Sequence, residues 1–163
     1  MIFVTIGLTL PFERLVAAVD AYRGDEEVVV QCGDRGVRPA RATCVDYLPF
    51  DILVEHVRRA SMVICHAGVG SVLVSMAEHK RPVIVPRRAA LGEAADDHQL
   101  PFARLLADRG LATVVEDTAD LWRVSRACGH VANAPVGARR LPAELREYLG
   151  EIVAAGRRPP PAG

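Results

Sequence analysis

Apolar residues along the chain fall into two alternating patterns. Near-continuous blocks, IFVTI from Ile2, VVV from Val28, MVIC from Met62 and VIV from Val83, have no polar face and read as strands buried on both sides. Between them the apolar positions spread to every third or fourth residue, the period of an amphipathic helix. The pattern predicts a strand over 1–7, a helix over 11–23 with Phe12, Leu15, Val16, Val19 and Tyr22 on one face, and a strand over 26–32 closed by a turn at Gly33 and Asp34. A short strand at 43–47 and a helix at 50–59 follow. Strands at 62–65 and 82–85 then flank a helix that begins near Ser71. Residues 97–109 read as a helix stopped by Gly110, 111–115 as the last strand, and EDTADLWRVSRA as a helix opened by Asp117 or Thr118. Residues 142–155 form a final amphipathic helix. RRPPPAG cannot extend it, so 157–163 is expected to be a disordered tail behind one domain spanning 1–156.

Strands separated by helices in this rhythm call for a parallel sheet covered on both faces. With right-handed crossovers the economical fold class is α/β, a Rossmann-like doubly wound parallel sheet. Such sheets bind ligands outside the carboxyl ends of their strands. The hexapeptide HAGVGS, His66 to Ser71, falls at that edge.

Composition narrows the class. The 163 residues are 50% hydrophobic and 25% charged, which is globular. Twenty basic and twenty acidic residues give a formal net charge of zero, so no general field would hold a nucleic acid. No apolar run reaches the roughly 18 residues of a membrane span. The first residues lack a basic n-region and a small-residue cleavage site, and read as a strand rather than a signal peptide. Cys32, Cys44, Cys65 and Cys128 form no CxxC pair and act best as small hydrophobes in a reducing cytoplasm.

The chemistry lies between the third and fourth apolar blocks. A helix N-terminus presents unpaired N–H groups and a partial positive charge, which suits an anion. Gly68 and Gly70 allow a tight turn and close approach of a ligand, Ser71 can donate to a phosphate oxygen, and His66 can add a second donor. The same residues also fit a plain turn with Ser71 as helix cap and His66 as a satisfied loop histidine. The pattern is not a dinucleotide fingerprint, because Leu73 stands where G-x-G-x-x-G has its third glycine, and the P-loop lysine is absent.

HAGVGS, PVIVPRR and GEAADDHQLPFARLLADRGL together resemble the donor-binding half of a GT-B glycosyltransferase. The likeness is to the family that includes the C-terminal domain of the peptidoglycan enzyme MurG. Within it, the order of MIFVTIG, PFERLVAAVD, QCGD and VDYLPFDILVEHVRRASMVICHAG is similar to soluble proteins that carry only this half. These are the catalytic subunit of the dolichol-linked N-acetylglucosamine transferase and bacterial exopolysaccharide subunits of the PssE type. The resemblance implies that His66, Gly68, Gly70 and Ser71 hold the diphosphate of a UDP-sugar donor. It also implies that Asp97, His98 and Gln99 lie near the sugar, that Tyr47, Leu48 and Pro49 approach the uracil, and that Gly7 brings the first loop close to the donor. Two departures stand out. Val74 occupies the position eight after the histidine where relatives carry an acid for the ribose, and the first loop, LTL, is short.

The implied activity is an inverting hexosyl transfer to a lipid-linked acceptor in exopolysaccharide or capsule synthesis. The implied partner is a separate membrane-associated subunit that binds the acceptor and recruits this chain to the inner face of the plasma membrane; the terminal helix at 142–155 is one candidate contact. No cofactor and no metal are expected, no nucleic acid is a partner, and no general base is identified. A non-catalytic accessory module that enhances such a partner is the alternative, with a stand-alone nucleotide-sugar enzyme such as an epimerase a weaker third. Without the resemblance, Asp97-His98-Gln99 is a polar helix start, Arg87 and Arg88 could pair with phosphate but read more simply as a solvated basic loop, and Phe12, Phe50 and Trp122 are core.

Overall fold

The computed structural model describes residues 1–8, 10–34 and 36–127. The helix expected at 142–155, the tail at 157–163 and Cys128 lie outside the described residues. Six strands form one sheet: β1 (Ile2–Thr5), β2 (Val28–Gln31), β3 (Thr43–Val45), β4 (Met62–His66), β5 (Val83–Val85) and β6 (Thr113–Val114). All neighbouring pairs are parallel and the order is β3-β2-β1-β4-β5-β6, the doubly wound Rossmann arrangement. β1 and β4 sit side by side in register, Ile2 opposite Met62 and Thr5 opposite Cys65.

Among the described residues five α-helices follow strands, all but β2 being followed by one: α1 (Glu13–Asp20), α2 (Phe50–Arg59), α3 (Val69–Ala77), α4 (Gln99–Asp108) and α5 (Leu121–Ala127). Side-chain alternation along each strand divides the core. Ile2, Val4 and Ile6 pack with Leu15, Val16 and Val19 of α1 and Leu121 of α5 on one face. On the other, Phe3, Val29 and Val63 meet Val57 of α2, while Cys65 and Ile84 meet Val72 and Met76 of α3 and Phe102 and Leu106 of α4. The helices after β1 and β4 thus cover opposite faces. The chain parts between these two strands, and the crevice of such sheets opens at that point.

Most elements are shorter than the apolar pattern suggests, although α2 keeps the expected 50–59 and β4 runs one residue past the expected 62–65. The first helix starts at Glu13, with Phe12 fully buried at its cap, and ends at Asp20. The helix expected from Asp97 starts at Gln99. Asp117 does open the last described helical segment, accepting from the Ala119 amide at 2.9 Å. Phe50, expected in the core, is 68% exposed, because it begins α2 directly after Pro49 at the sheet edge. Trp122 is half-buried against Tyr22 and donates to the Ala18 carbonyl. Cys32 and Cys65 are buried thiols, and Cys44 is half-buried.

Candidate functional site

His66 ends β4 at the parting of the chain, and two glycines enclose its ring. A Cβ at Gly68 would lie 2.1 Å from His66 Nε2. One at Gly7, whose φ of +85° already favours glycine, would lie 3.1 Å from Cε1. The imidazole therefore occupies the volume that side chains at positions 7 and 68 would fill. Its Nδ1 is buried with no hydrogen-bond partner among the described residues. Burial pushes the His66 pKa down to about 4, helped by the Arg87 charge and by His98, with the Thr5 backbone opposing. The ring is neutral at physiological pH and carries one N–H.

Gly68 is also the cap of α3, extended at φ −82° and ψ 129°. The helix begins at Val69, two residues before the start expected at Ser71. Ser71 lies inside the first turn and is not a cap; its carbonyl accepts from the Ser75 hydroxyl at 2.8 Å. The first intrahelical bond runs from the Val72 amide to the Gly68 carbonyl at 3.1 Å. The amides of Val69, Gly70 and Ser71 precede it and have no acceptor within the helix. No acidic residue lies in this turn, and a Cβ at Gly70 would meet nothing within 4 Å. Gly70 is thus not required by packing. It borders open space.

The loop from β5 to α4 carries Arg87 and His98, whose charges act on His66. Gln99, 6% exposed, accepts the Arg87 amide through Oε1 at 3.0 Å, and Asp97 accepts the Ala89 amide at 2.8 Å. Each thus has one oxygen engaged in shaping the loop. His98 is exposed, and its Nδ1 and amide both meet the Asp96 carboxylate, which these bonds hold below the usual carboxylate range. Glu93 is buried; Arg14 grips it in a fork at 2.8 and 2.9 Å, and it accepts the Arg88 amide. Burial alone would raise its carboxyl, but those bonds and the charges of Arg14 and Arg87 leave it below its ordinary value. No group of three or more His, Cys, Asp or Glu among the described residues could hold a metal ion.

Tyr47, Leu48 and Pro49 follow β3 on the same carboxyl edge. Tyr47 is 66% exposed, Leu48 packs on the Phe3 and Val57 cluster, and Pro49 caps α2. Val74 packs on that cluster too, as part of α3.

Arg87 is not the solvated basic residue expected. It is 4% exposed, with its guanidinium 4.5 Å from the centre of the Phe12 ring. It donates to the carbonyls of Ile6, Leu10, Pro11 and Glu93 at 2.6 to 2.9 Å. Its position directly after the buried VIVP strand was the one available signal. Arg88 is the half-exposed neighbour and pairs with Glu116 at 3.1 Å.

Comparison with known proteins agrees with this architecture. Residues 1–128 match the model of the glycosyltransferase family 28 C-terminal domain. A curated relative, the UDP-N-acetylglucosamine transferase subunit ALG13 of Yarrowia lipolytica, is 29% identical over 137 aligned residues, covering 72% of this chain and 66% of the relative. Among solved structures, MurG of Acinetobacter baumannii aligns over 93% of this chain and 49% of its own, with a TM-score of 0.58 and 21% identity. The glycosyltransferase VinC, solved in complex with dTDP, aligns over 97% and 42%, at 0.56 and 22%. The chain thus spans just under two thirds of the curated relative and less than half of either solved enzyme. Its sheet has the fold of one half of a GT-B glycosyltransferase, and with four-fifths of its length matched by the family model, the chain belongs to the glycosyltransferase family 28 C-terminal domains.

Proposed function

We propose that this domain binds the nucleoside diphosphate end of a UDP-sugar. With a membrane-associated partner that holds a lipid-linked acceptor, it transfers the hexosyl group in exopolysaccharide or capsule synthesis. The observation that carries the reading is the meeting of three unbonded amides at the start of α3 with a neutral imidazole lodged between Gly7 and Gly68. The amides of Val69, Gly70 and Ser71, the Ser71 hydroxyl and the single N–H of His66 would donate to the diphosphate. Tyr47, Leu48 and Pro49 would border the uracil, and Asp97, His98 and Gln99 the sugar.

In this reaction the acceptor oxygen bonds to the anomeric carbon as the bond from that carbon to the diphosphate oxygen breaks. The acceptor proton passes to a base outside the residues assigned here. Charge grows on the departing UDP, and donors already fixed by the helix stabilise it more than the ground state. Losing one such donor costs about 2.7–4 kcal/mol of barrier.

Support for a partner comes from the surface. Of the seven large apolar side chains exposed among the described residues, six, Leu8, Leu10, Val37, Tyr47, Phe50 and Leu91, lie in or at the end of segments that leave the carboxyl ends of strands, while Ile52 lies within α2. A second domain closing over that edge would cover them. The share of the ALG13 relative that aligns, and its name as a subunit, fit the same arrangement.

Val74 favours a second reading. An apolar residue packed on Phe3 and Val57 cannot bond a ribose, which suits a non-catalytic module that enhances its partner. Co-expression with the membrane partner separates the two: His66→Ala with Ser71→Ala should abolish transfer if this chain is catalytic and spare most of it if it is accessory. Thermal unfolding tests the donor itself. Saturating UDP-sugar should raise the midpoint, and no shift with any UDP-sugar, with or without the partner, would refute donor binding.

A further inference from the structure

We propose that Arg87 is a positioning residue for the diphosphate site: it fixes the first loop behind His66 and supplies a buried positive charge to the bound anion without touching it. The inference rests on the diphosphate reading above.

The geometry has two parts. Arg87 Nη1 and Nη2 bond the carbonyls of Ile6, Leu10 and Pro11, which bracket the first loop at both ends, and that of Glu93 in the opposite loop. Ile6 adjoins Gly7, the residue whose missing Cβ makes room for the imidazole, so the clamp sets one wall of the His66 pocket. Gln99 fixes the Arg87 amide, and Phe12 lies under the guanidinium.

The second part is charge. A buried guanidinium usually meets a carboxylate, whose charge cancels its field. Here the nearby carboxylate, Glu93, is gripped by both arms of Arg14, while Arg87 bonds only neutral carbonyls. Arg14, Glu93 and Arg87 together retain one positive charge beside the parting of β1 and β4. Arginine keeps its proton in proteins, and in a poorly hydrated site its field reaches neighbours that it does not bond. Burial is the main cause of the lowered His66 pKa and the Arg87 charge adds to it, in keeping with a field that reaches the imidazole. An anion beside the imidazole would feel the same charge with the opposite sign.

The test compares UDP with uridine, which has the same base and ribose but no phosphate. By calorimetry, Arg87→Met should weaken UDP about tenfold and uridine less than about twofold, a tenfold change being about 1.4 kcal/mol. Arg87→Lys keeps the charge and should retain more UDP affinity than Arg87→Met. Arg58→Gln, on the exposed Glu78 pair, should change neither ligand. In the same samples, the His66 titration followed by NMR should move up in Arg87→Met and stay lower in Arg87→Lys, which keeps the charge; a rise of equal size in both would mark lost packing alone and overturn the charge role. Equal weakening of UDP and uridine with an unmoved His66 titration would overturn the proposal. If Arg87→Met does not fold, the Arg87 Nε–H resonance of the unaltered protein decides: it should shift on adding UDP and stay on adding uridine, and identical responses refute the role. Should the unaltered protein bind no UDP, the diphosphate reading itself fails and this inference falls with it. UDP binding that leaves Arg87 silent defeats this inference alone.

Discussion

His66 is a histidine that the fold keeps uncharged. Its pKa in the native protein, about 4, lies below the ordinary 6.5, so the unfolded chain binds more protons between those values. The stability this contributes is present in full above about pH 6.5 and is lost as pH falls towards 4. At about 1.36 kcal/mol per pKa unit the loss is about 3 kcal/mol. Urea unfolding between pH 7 and 4 should show that decline, and His66→Gln should lack it; equal slopes in both proteins would contradict the buried neutral ring. Glu93, held low by Arg14, loses its contribution only at more acidic pH. The two glycines of the turn should also separate. Gly68→Ala drives a Cβ into His66 Nε2, and should displace the ring, raise its pKa and weaken UDP. Gly70→Ala meets open space, so stability should hold or rise by up to about 1 kcal/mol. Its methyl group would still crowd the anion, and UDP affinity should fall. Unchanged UDP binding in Gly70→Ala would argue against an anion at this turn.

At the scale of elements, α3 and the loops after β1 and β5 make up the proposed site, and their legibility differed. The four near-continuous apolar blocks read directly as β1, β2, β4 and β5, because a strand buried on both faces has no polar positions to confuse the pattern. HAGVGS could be put at the end of a strand for the same reason. The start of α3 could not: Gly68 is a cap without a side chain, so Ser71, a common capping residue, drew the boundary two positions late. Arg87 was illegible as a clamp because its partners are main-chain carbonyls at Ile6, Leu10 and Pro11, distant in sequence and devoid of any residue-type signature. Phe50 misled in the opposite sense, an aromatic at a helix start that turns outward. The Arg14–Glu93 fork should matter for holding these loops together. Glu93→Gln should cost about 1.5–3 kcal/mol in chemical denaturation, the range for a hydrogen bond to a charged group. A loss of a few tenths would mean that the fork is incidental.

At the scale of the molecule, the sheet has the fold of one half of a GT-B glycosyltransferase, and several exposed apolar side chains lie in the segments that leave the carboxyl ends of its strands. Under the proposed two-component transfer, these residues alone should bind donor and transfer nothing, with turnover appearing on addition of the membrane partner. Phe50→Ser with Leu91→Ser should leave UDP affinity unchanged and lower transfer by the assembled enzyme; equal turnover with and without these changes would remove these side chains from the interface. None of the described helices is long and apolar enough to cross a membrane. Beneath all of this lies one claim, that the amides opening α3 receive a diphosphate. Amide NMR of the labelled chain during titration with UDP examines it residue by residue. The account predicts saturable shifts at Val69, Gly70 and Ser71 together with the His66 ring, all absent when uridine replaces UDP. UDP binding that moved other amides and left these four in place would contradict it.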